Sequence, residues 1–296
     1  MTEQIADAGR GISLAYERIG DAGAEPLVFV AGLGQQLHSW PDAFCTKLAE
    51  RGYEVIRFDN RDTGRSTHPR FRPPSLLGML AGRFPPQQYD LTDMAADTIG
   101  LFDALDLETA HIAGVSMGGM ISQTTAALHP DRIRTLTSIM STTGSRLLGR
   151  PALSTLRMMG AKPPKSREEA VESAVRMFRH IGSHGFPFDE AFVRELAGTG
   201  WDRDPTAGGV GRQLAAIMKS GNRTPLLRKI TAPTLVIHGD RDRMVHPTGG
   251  AATARAIRGA RLETVRGMGH DLPEGAWPTV LDLIDQHARS SDVPAP

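Results

Sequence analysis

Short apolar runs alternate with amphipathic stretches along most of the chain. The runs are rich in Val, Ile, Leu and Phe, which is typical of strands in a sheet that is buried on both faces. They predict β-strands at residues 11–20, 27–30, 54–58, 111–113, 133–140, 234–238 and 261–265. Apolar residues at helical spacing predict helices at residues 41–51, 91–105, 120–128, 248–257 and 276–288. Strands that alternate with helices predict an α/β fold with a mainly parallel sheet and helices on both faces.

The alternation stops between residues 144 and 228, where no strand is predicted. Helical spacing there predicts helices at residues 152–159, 167–181, 189–196 and 208–219. A helix-only insert between two strands predicts a lid domain. We therefore divide the chain into a core, residues 1–143 and 229–296, and a lid, residues 144–228. Methionine and aromatic side chains of the lid are expected to form its own core and to line an apolar pocket.

Residues 67–89 fit neither a strand nor a long helix. The segment contains five prolines around a short apolar stretch at residues 76–80. We interpret it as a short helix between proline-rich arms. Two roles remain open, a second flap over the functional site and a simple surface insertion.

Residues 111–120, HIAGVSMGGM, carry the strongest local signal for chemistry. A strand-like run leads into Gly-Val-Ser-Met-Gly and a helix follows, which is the context of a nucleophile elbow. In such an elbow the serine lies in strained backbone at a sharp turn, and its hydroxyl is exposed. Gly114 and Gly118 leave room for the strand and the helix to approach each other, so Ser116 is the predicted nucleophile. The alternative is a Gly-Ser-Gly loop without chemistry.

Four motifs make the chain similar to a known family: FDNRDTGRS at residues 58–66, GVSMGGMISQ at 114–123, PTLVIHGDRD at 233–242 and GMGHDLP at 267–273. With these motifs the chain resembles the bacterial α/β-hydrolases, in particular the branch that includes the aclacinomycin methylesterases and related carboxylesterases. The resemblance implies an α/β-hydrolase fold with an eight-stranded, mainly parallel sheet and a helical lid inserted before the acid-bearing strand. It implies no cofactor and no metal.

In this fold the catalytic residues follow in the order serine, acid, histidine, each at the carboxyl end of a strand. His270 is the predicted base, because it alone among ten histidines follows the terminal apolar strand, in a glycine-flanked loop downstream of both other candidates. Asp240 and Asp242 both follow the strand at 234–238. The spacing from Gly239 and the apolar pair that comes next favour Asp242 as the acid, with Asp240 as the alternative.

The resemblance also implies an oxyanion hole. Its two donors are the backbone amides of Met117, just after the nucleophile, and of Leu33, in the glycine turn after the second predicted strand. Gly32, Gly34 and His38 lie in or near the same turn and are predicted to contact the substrate. A plain strand-to-helix turn, and a structural role for His38, remain as alternatives.

The composition excludes several kinds of binding partner and cross-link. With 34 Lys and Arg against 33 Asp and Glu, the net charge is +1, which gives no electrostatic reason to expect nucleic acid. The single cysteine, Cys45, excludes an intramolecular disulfide and a cysteine-based metal cluster. The N-terminus lacks a secretion-signal pattern, and no apolar run approaches the roughly 18 residues of a membrane span. We therefore expect a soluble cytoplasmic protein, monomeric or homodimeric.

These features predict hydrolysis of carboxylic esters through an acyl-enzyme, with small to medium, mostly apolar esters as substrates. The same triad can instead support perhydrolysis of the cofactor-free haloperoxidase type, cleavage of a carbon–carbon bond, or acyl transfer. A non-hydrolytic receptor that binds a small ligand and keeps the fold is an alternative of a different class.

Overall fold

An eight-stranded sheet forms the centre of the computed structural model, which describes residues 2–205 and 208–290. Its order is β1-β2-β4-β3-β5-β6-β7-β8; the pairs β1–β2 and β2–β4 are antiparallel and the remaining pairs are parallel. This confirms the predicted α/β-hydrolase fold. The strands are β1 (Gln4–Asp7), β2 (Ser13–Ile19), β3 (Glu25–Val30), β4 (Tyr53–Phe58), β5 (Ala110–Val115), β6 (Ile133–Ile139), β7 (Thr234–Gly239) and β8 (Arg261–Val265).

Strand β1 is an element that the apolar pattern does not reveal. Three of its four residues are exposed, so the strand carries almost no apolar signal. It is held at the edge of the sheet by antiparallel pairing with β2, where Gln4 lies opposite Tyr16. Its place is therefore set by backbone pairing and not by burial.

Helices cover both faces of the sheet. On one face α3 and α4 pack against strand residues that include Val28 and Val30, and on the other face α1 and α11 pack against Leu27 and Phe29. Burial on both sides explains the nearly continuous apolar strands. The helices are α1 (Asp42–Ala49), α2 (Leu76–Leu80), α3 (Leu91–Ala104), α4 (Met117–Leu128), α5 (Leu153–Met159), α6 (Arg167–Ile181), α7 (Glu190–Arg203), α8 (Gly208–Ser220), α9 (Thr224–Leu227), α10 (Thr248–Ala256) and α11 (Trp277–Arg289). Among residues 2–205 and 208–290, none of these helices combines the length and the apolar character needed to cross a bilayer.

Between β6 and β7 the described residues form helices α5 to α9. Helix α7 is longer than predicted, and the expected break after residue 196 is wrong, because the helix runs on to Arg203. Gly198 fits inside the helix because the Arg167 side chain fills the neighbouring space; a Cβ at Gly198 would lie 2.3 Å from that guanidinium. The added turns bring Arg203 to 2.8 Å from Asp59.

Buried ion pairs connect the helical segment between β6 and β7 to the turn after β4. Asp59 accepts a hydrogen bond from Arg203 of α7, and Asp62 accepts two from Arg212 of α8, at 2.9 and 2.6 Å. The side chains of both aspartates are fully buried. Loss of one partner would leave a buried charge uncompensated, which is strongly destabilising. The α7–α8 side of the segment is therefore firmly attached to the core.

The proline-rich segment at residues 67–89 contains the short predicted helix, α2. Ser75 caps it by accepting a hydrogen bond from the amide of Gly78. Leu76 and Leu77 project into solvent, while Met79 is buried. No residue of this segment belongs to the described lining of the cavity that contains Ser116. This favours the interpretation of the segment as a surface insertion.

Candidate active site

Ser116 lies at the sharp turn between β5 and α4. Its backbone has φ 55° and ψ −115°, a strained conformation for a residue with a side chain. Its amide donates to the carbonyl of Ile139 at 2.9 Å, and the Ser141 hydroxyl donates to its carbonyl at 2.8 Å. Hydrogen bonds to the end of β6 and the loop that follows it therefore hold the strained turn in place.

The glycines on either side of Ser116 are required by the close packing. A Cβ at Gly114 would lie 2.3 Å from the carbonyl oxygen of Gly118, and a Cβ at Gly118 would lie 2.1 Å from the carbonyl oxygen of Val30. A side chain at either position would therefore force the surrounding strands and α4 apart. This is the geometry that the predicted nucleophile elbow requires.

An unbroken chain of hydrogen bonds joins Ser116, His270 and Asp242. His270 Nε2 lies 3.1 Å from Ser116 Oγ, and His270 Nδ1 lies 2.8 Å from Asp242 Oδ2. Ser116 follows β5, Asp242 follows β7 and His270 follows β8. The three predicted residues therefore meet at the carboxyl edge of the parallel strands, where open α/β sheets bind ligands.

The carboxylate of Asp242 is buried and surrounded by hydrogen-bond donors. Its Oδ1 accepts from the backbone amides of Met244 and Val245, both at 2.8 Å. Its Oδ2 faces His270 and also lies 3.3 Å from Nε2 of His238. Burial raises the pKa of Asp242, but the charge of His270 and the hydrogen bonds from His238 and His270 lower it further, to well below its ordinary value. Asp242 is therefore ionised at neutral pH.

Asp240, the alternative acid, has a different role. Its Oδ1 accepts a hydrogen bond from the amide of Gly267 at 2.6 Å, and its side chain is partly exposed beside Arg241. The structure thus brings Asp242, and not Asp240, to His270. Asp240 instead stabilises the loop that carries His270.

Residues that follow α6 hold the same loop from the other side. The His270 amide donates to the carbonyl of Ile181 at 2.8 Å, and the Gly185 amide donates to the carbonyl of Gly267 at 2.9 Å. The Gly269 amide donates to the hydroxyl of Ser183 at 2.9 Å. The helical segment between β6 and β7 is therefore connected directly to the loop of His270.

The backbone predicted to form the oxyanion hole lies beside the serine. A Cβ at Gly32 would lie 3.6 Å from the Cβ of Ser116, and Gly32 and Leu33 line the cavity that contains Ser116 and His270. Met117 is the first residue of α4, directly after Ser116. Both predicted amide donors thus belong to backbone that adjoins the nucleophile.

Gln213 of α8 fixes this turn, which sequence reasoning did not anticipate. Its Oε1 accepts a hydrogen bond from the amide of Gly34 at 2.8 Å, and its Nε2 donates to the carbonyl of Arg61 at 2.8 Å. The side chain is completely buried. Because the contact joins positions 179 residues apart, no local pattern could indicate it.

Two predicted substrate contacts, Gly34 and His38, are not supported. Among the described residues, neither contributes to the lining of the cavity that contains Ser116. Gly34 has a positive φ of 67°, and a Cβ there would lie 2.9 Å from a methyl group of Val210, so it is a turn glycine packed under α8. Burial and the nearby charges of Arg203 and Arg57 lower the pKa of His38. We therefore assign both residues a structural role.

A largely apolar cavity of about 1020 Å³ contains the side chains of Ser116 and His270. One wall comes from the core and the other from helices α6 and α7 and the loop between them. Burial raises the pKa of Asp271, a carboxyl group that lies next to His270 in the same cavity. The large apolar lining side chains include Trp40, Met177, Phe178, Phe188, Phe192 and Trp277.

The fold and this site together define the class of protein. Residues 25–275, most of the chain, match the sequence profile of a family whose description is "alpha/beta hydrolase fold". The protein belongs to the α/β-hydrolase family.

Similarity to individual proteins indicates which branch of the α/β-hydrolase family the chain is related to. Rhodomycin D methylesterase DauP of Streptomyces sp. strain C5 is 30% identical over 95% of this chain and 97% of its own length. BpoC of Mycobacterium tuberculosis strain H37Rv, a candidate non-heme bromoperoxidase, is 26% identical over 88% of this chain and 91% of its own. The solved 2-hydroxy-6-oxo-6-phenylhexa-2,4-dienoate hydrolase of Rhodococcus sp. strain RHA1 is similar with a TM-score of 0.75 at 19% identity, over 97% of this chain and 98% of that one, which shows the fold alone. The predicted resemblance to the methylesterase branch, and with it the enzyme class of carboxylic ester hydrolase, is confirmed.

Proposed function

We propose that the protein is a serine hydrolase that cleaves carboxylic esters, with Ser116 as nucleophile, His270 as general base and Asp242 as the acid that orients it. The observation that carries this proposal is the hydrogen-bonded chain from Asp242 Oδ2 through His270 to Ser116 Oγ. The similarity to DauP, which is named as a methylesterase, supports an ester as the substrate.

The reaction proceeds through an acyl-enzyme. His270 Nε2 takes the hydroxyl proton as Ser116 Oγ attacks the carbonyl carbon of the ester. The amides of Leu33 and Met117 stabilise the oxyanion, and the N-terminus of α4 favours the same negative charge. His270 then protonates the leaving alcohol. A water molecule, activated by His270, finally releases the carboxylic acid from Ser116.

The cavity favours small to medium esters with apolar groups. Its walls are mainly aromatic and aliphatic, and much of one wall comes from α6 and α7. We propose that residues 144–228 act as a lid over the site, because helices α6 and α7 line the cavity and the end of α6, with the loop after it, holds the loop of His270. Variation in this segment then changes the substrate without changing the chemistry of Ser116.

Perhydrolysis is a second candidate activity, which the similarity to BpoC favours. In that reaction hydrogen peroxide replaces water in the attack on the acyl-enzyme and a peracid leaves. The two activities share Ser116 and His270, so the product formed from one ester with and without peroxide distinguishes them.

The test of the proposed function is hydrolysis of p-nitrophenyl esters from acetate to decanoate. Because the cavity is apolar and much larger than an acetyl group, we expect kcat/KM to rise from acetate towards the medium-length chains and then to fall. The chain length at the maximum measures the size of the acyl pocket. Absence of turnover with every ester in the series would contradict the proposal.

Replacing Gln213 with leucine is expected to lower kcat by about 10- to 100-fold, with little change in KM. The substitution removes both hydrogen bonds that fix the turn of Gly34 and Leu33, so the oxyanion donor shifts while the apolar cavity keeps its shape. Steady-state kinetics on the best p-nitrophenyl ester measure the effect.

Gln88 offers a matched control for this variant. It is also a buried glutamine that donates to backbone, in this case to the carbonyls of Tyr89 and of Arg212 on α8, but it does not touch Gly34. Gln88→Leu should lower the melting temperature by a similar amount and leave kcat near the wild-type value. Equal losses of kcat in both variants would show that Gln213 acts only through general stability.

A further inference from the structure

The loop before α5, helix α5 and the residues after it expose apolar side chains to solvent. Leu147, Leu153 and Leu156 are 81%, 78% and 48% exposed, and Met159 is also exposed. Single exposed leucines are common on protein surfaces, but several exposed apolar side chains between residues 147 and 159 form a patch of the kind that marks an interaction site. These four residues have no place in the proposed chemistry.

The same stretch carries only positive charge. Between residues 132 and 167 the sequence contains no Asp and no Glu. Five exposed cations alternate with the exposed apolar residues, and none of them forms an ion pair within residues 2–205 and 208–290. We call this surface the α5 face; its members are Leu147, Leu153, Leu156, Met159, Arg146, Arg150, Arg157, Lys162 and Lys165.

A groove of about 810 Å³ with more arginines than aspartates in its lining lies beside helix α5. Helix α5 packs directly on its rim, because the Ala152 amide and the Thr155 hydroxyl donate to the carbonyl of Arg243 at 2.9 and 3.0 Å. Two acids nearby accept hydrogen bonds from backbone amides: Asp240 from Gly267, and Glu169 from Lys165. The charged side chains that line the groove are Asp240, Arg241, Asp242, Arg243 and Arg266, three arginines against two aspartates.

Helix α5 is anchored in the orientation that exposes this face. Thr155 is fully buried on its inner side and bonds both to Arg243 and to His180 of α6. Pro151 precedes the helix and Pro163 follows it, so the flanking backbone is restricted. The face is therefore formed before any partner binds, and little conformational entropy is lost on binding.

We propose that the α5 face docks on the surface of an anionic lipid bilayer. The leucines and Met159 enter the boundary between headgroups and acyl chains, and the arginines and lysines contact lipid phosphates. A nucleic acid offers phosphates but no apolar phase for the leucines. A second copy of this chain is disfavoured, because a two-fold contact would place the same cations against one another. The proposal is independent of the ester chemistry, although apolar esters concentrate in bilayers.

Vesicle sedimentation tests the proposal with the full chain. Vesicles of phosphatidylcholine alone are compared with vesicles of equal parts phosphatidylcholine and phosphatidylglycerol, at low and high salt. We expect binding to the mixed vesicles that weakens at least tenfold in high salt, and much weaker binding to phosphatidylcholine alone. The variant L153S/L156S should lower the partition coefficient about tenfold or more, and R150Q/R157Q/K162Q should abolish the preference for phosphatidylglycerol.

Helix α2 supplies matched control variants, because it exposes leucines and is flanked by arginines elsewhere on the surface. Residues 63–89 also contain no Asp and no Glu, but the arginine-lined groove adjoins α5 and includes no residue of this segment. L76S/L77S and R70Q/R72Q/R83Q should therefore bind the mixed vesicles like the wild type. Melting temperature and hydrolysis of water-soluble p-nitrophenyl acetate check that each variant is folded, so a failure of docking is separate from a failure of the esterase proposal.

Three results would overturn the assignment. The first is no preference of the wild type for the mixed vesicles. The second is loss of binding in the α2 variants with retention in the α5 variants. The third is a concentration-dependent dimer that disappears in L153S/L156S without any effect on vesicle binding, which would assign the face to a second copy of the chain.

Discussion

Replacing Ser116 with alanine is expected to lower kcat for p-nitrophenyl ester hydrolysis by about 10⁴- to 10⁶-fold. The variant lacks the hydroxyl that lies 3.1 Å from His270 Nε2, and its cavity and the amides of Leu33 and Met117 remain. KM should therefore change little, and a weak rate from direct attack by water should persist. A fluorophosphonate probe, which phosphonylates serine nucleophiles with loss of fluoride, should label the wild type at Ser116 and fail to label the variant.

Ser122 provides the control for this experiment. It lies on α4, is fully buried and donates to the carbonyl of Gly118 at 2.8 Å, so Ser122→Ala makes the same chemical change within two turns of the nucleophile. We expect Ser122→Ala to keep most of the activity and to react with the probe. If Ser116→Ala hydrolyses the esters as fast as Ser122→Ala, Ser116 is not the nucleophile.

The elbow could be predicted from sequence because its constraints are local. Gly114, Ser116 and Gly118 are close in the chain, and the steric conflict that excludes a side chain at either glycine involves backbone within the same strand-turn-helix unit and its neighbouring strand. A short motif therefore contains most of the physical information. The same holds for the buried strands, whose continuous apolar composition reflects helices packed on both faces.

The contacts that position the site are harder to predict from the sequence, because they join distant parts of the chain. Gln213 reaches Gly34 across 179 residues, and a buried glutamine in a helix is compatible with many structures. The sequence pattern likewise gives no sign that His238 Nε2 lies 3.3 Å from Oδ2 of Asp242. Helix α7 is longer than the sequence predicts, because its two glycines disfavour a helix in isolation, whereas Gly198 fits against Arg167 in the folded chain.

Gly34 and His38 lie outside the lining of the cavity for a related reason. Proximity in sequence to the turn of Leu33 suggested contact with the substrate, but the helical segment covers this part of the turn, and Val210 occupies the space next to Gly34. Which residues of a loop face a cavity depends on the element packed over it. That element lies far along the chain, so a local pattern identifies the loop without indicating which of its side chains are covered.

Replacing Asp242 with asparagine is expected to lower kcat by about 10³- to 10⁴-fold while the fold is preserved. Met244 and Val245 both donate to Oδ1, so the asparagine carbonyl will stay at that position and its NH₂ group will take the position of Oδ2. This amide can only donate towards His270 Nδ1. His270 must then accept at Nδ1 and carry its proton on Nε2, where it faces Ser116 and cannot act as a base.

Asp240→Asn is the matched control, because it makes the same change two residues away on the same turn. Its loss should affect only the hydrogen bond to Gly267, and we expect a small decrease in kcat. Because the pKa of Asp242 is already far below its ordinary value, protonation of this carboxylate should not limit the wild-type rate as the pH falls through the mildly acidic range. A large loss in Asp240→Asn together with near-normal activity in Asp242→Asn would transfer the role of the acid to Asp240, and the hydrogen-bonded chain would then require a different orientation of His270 during catalysis.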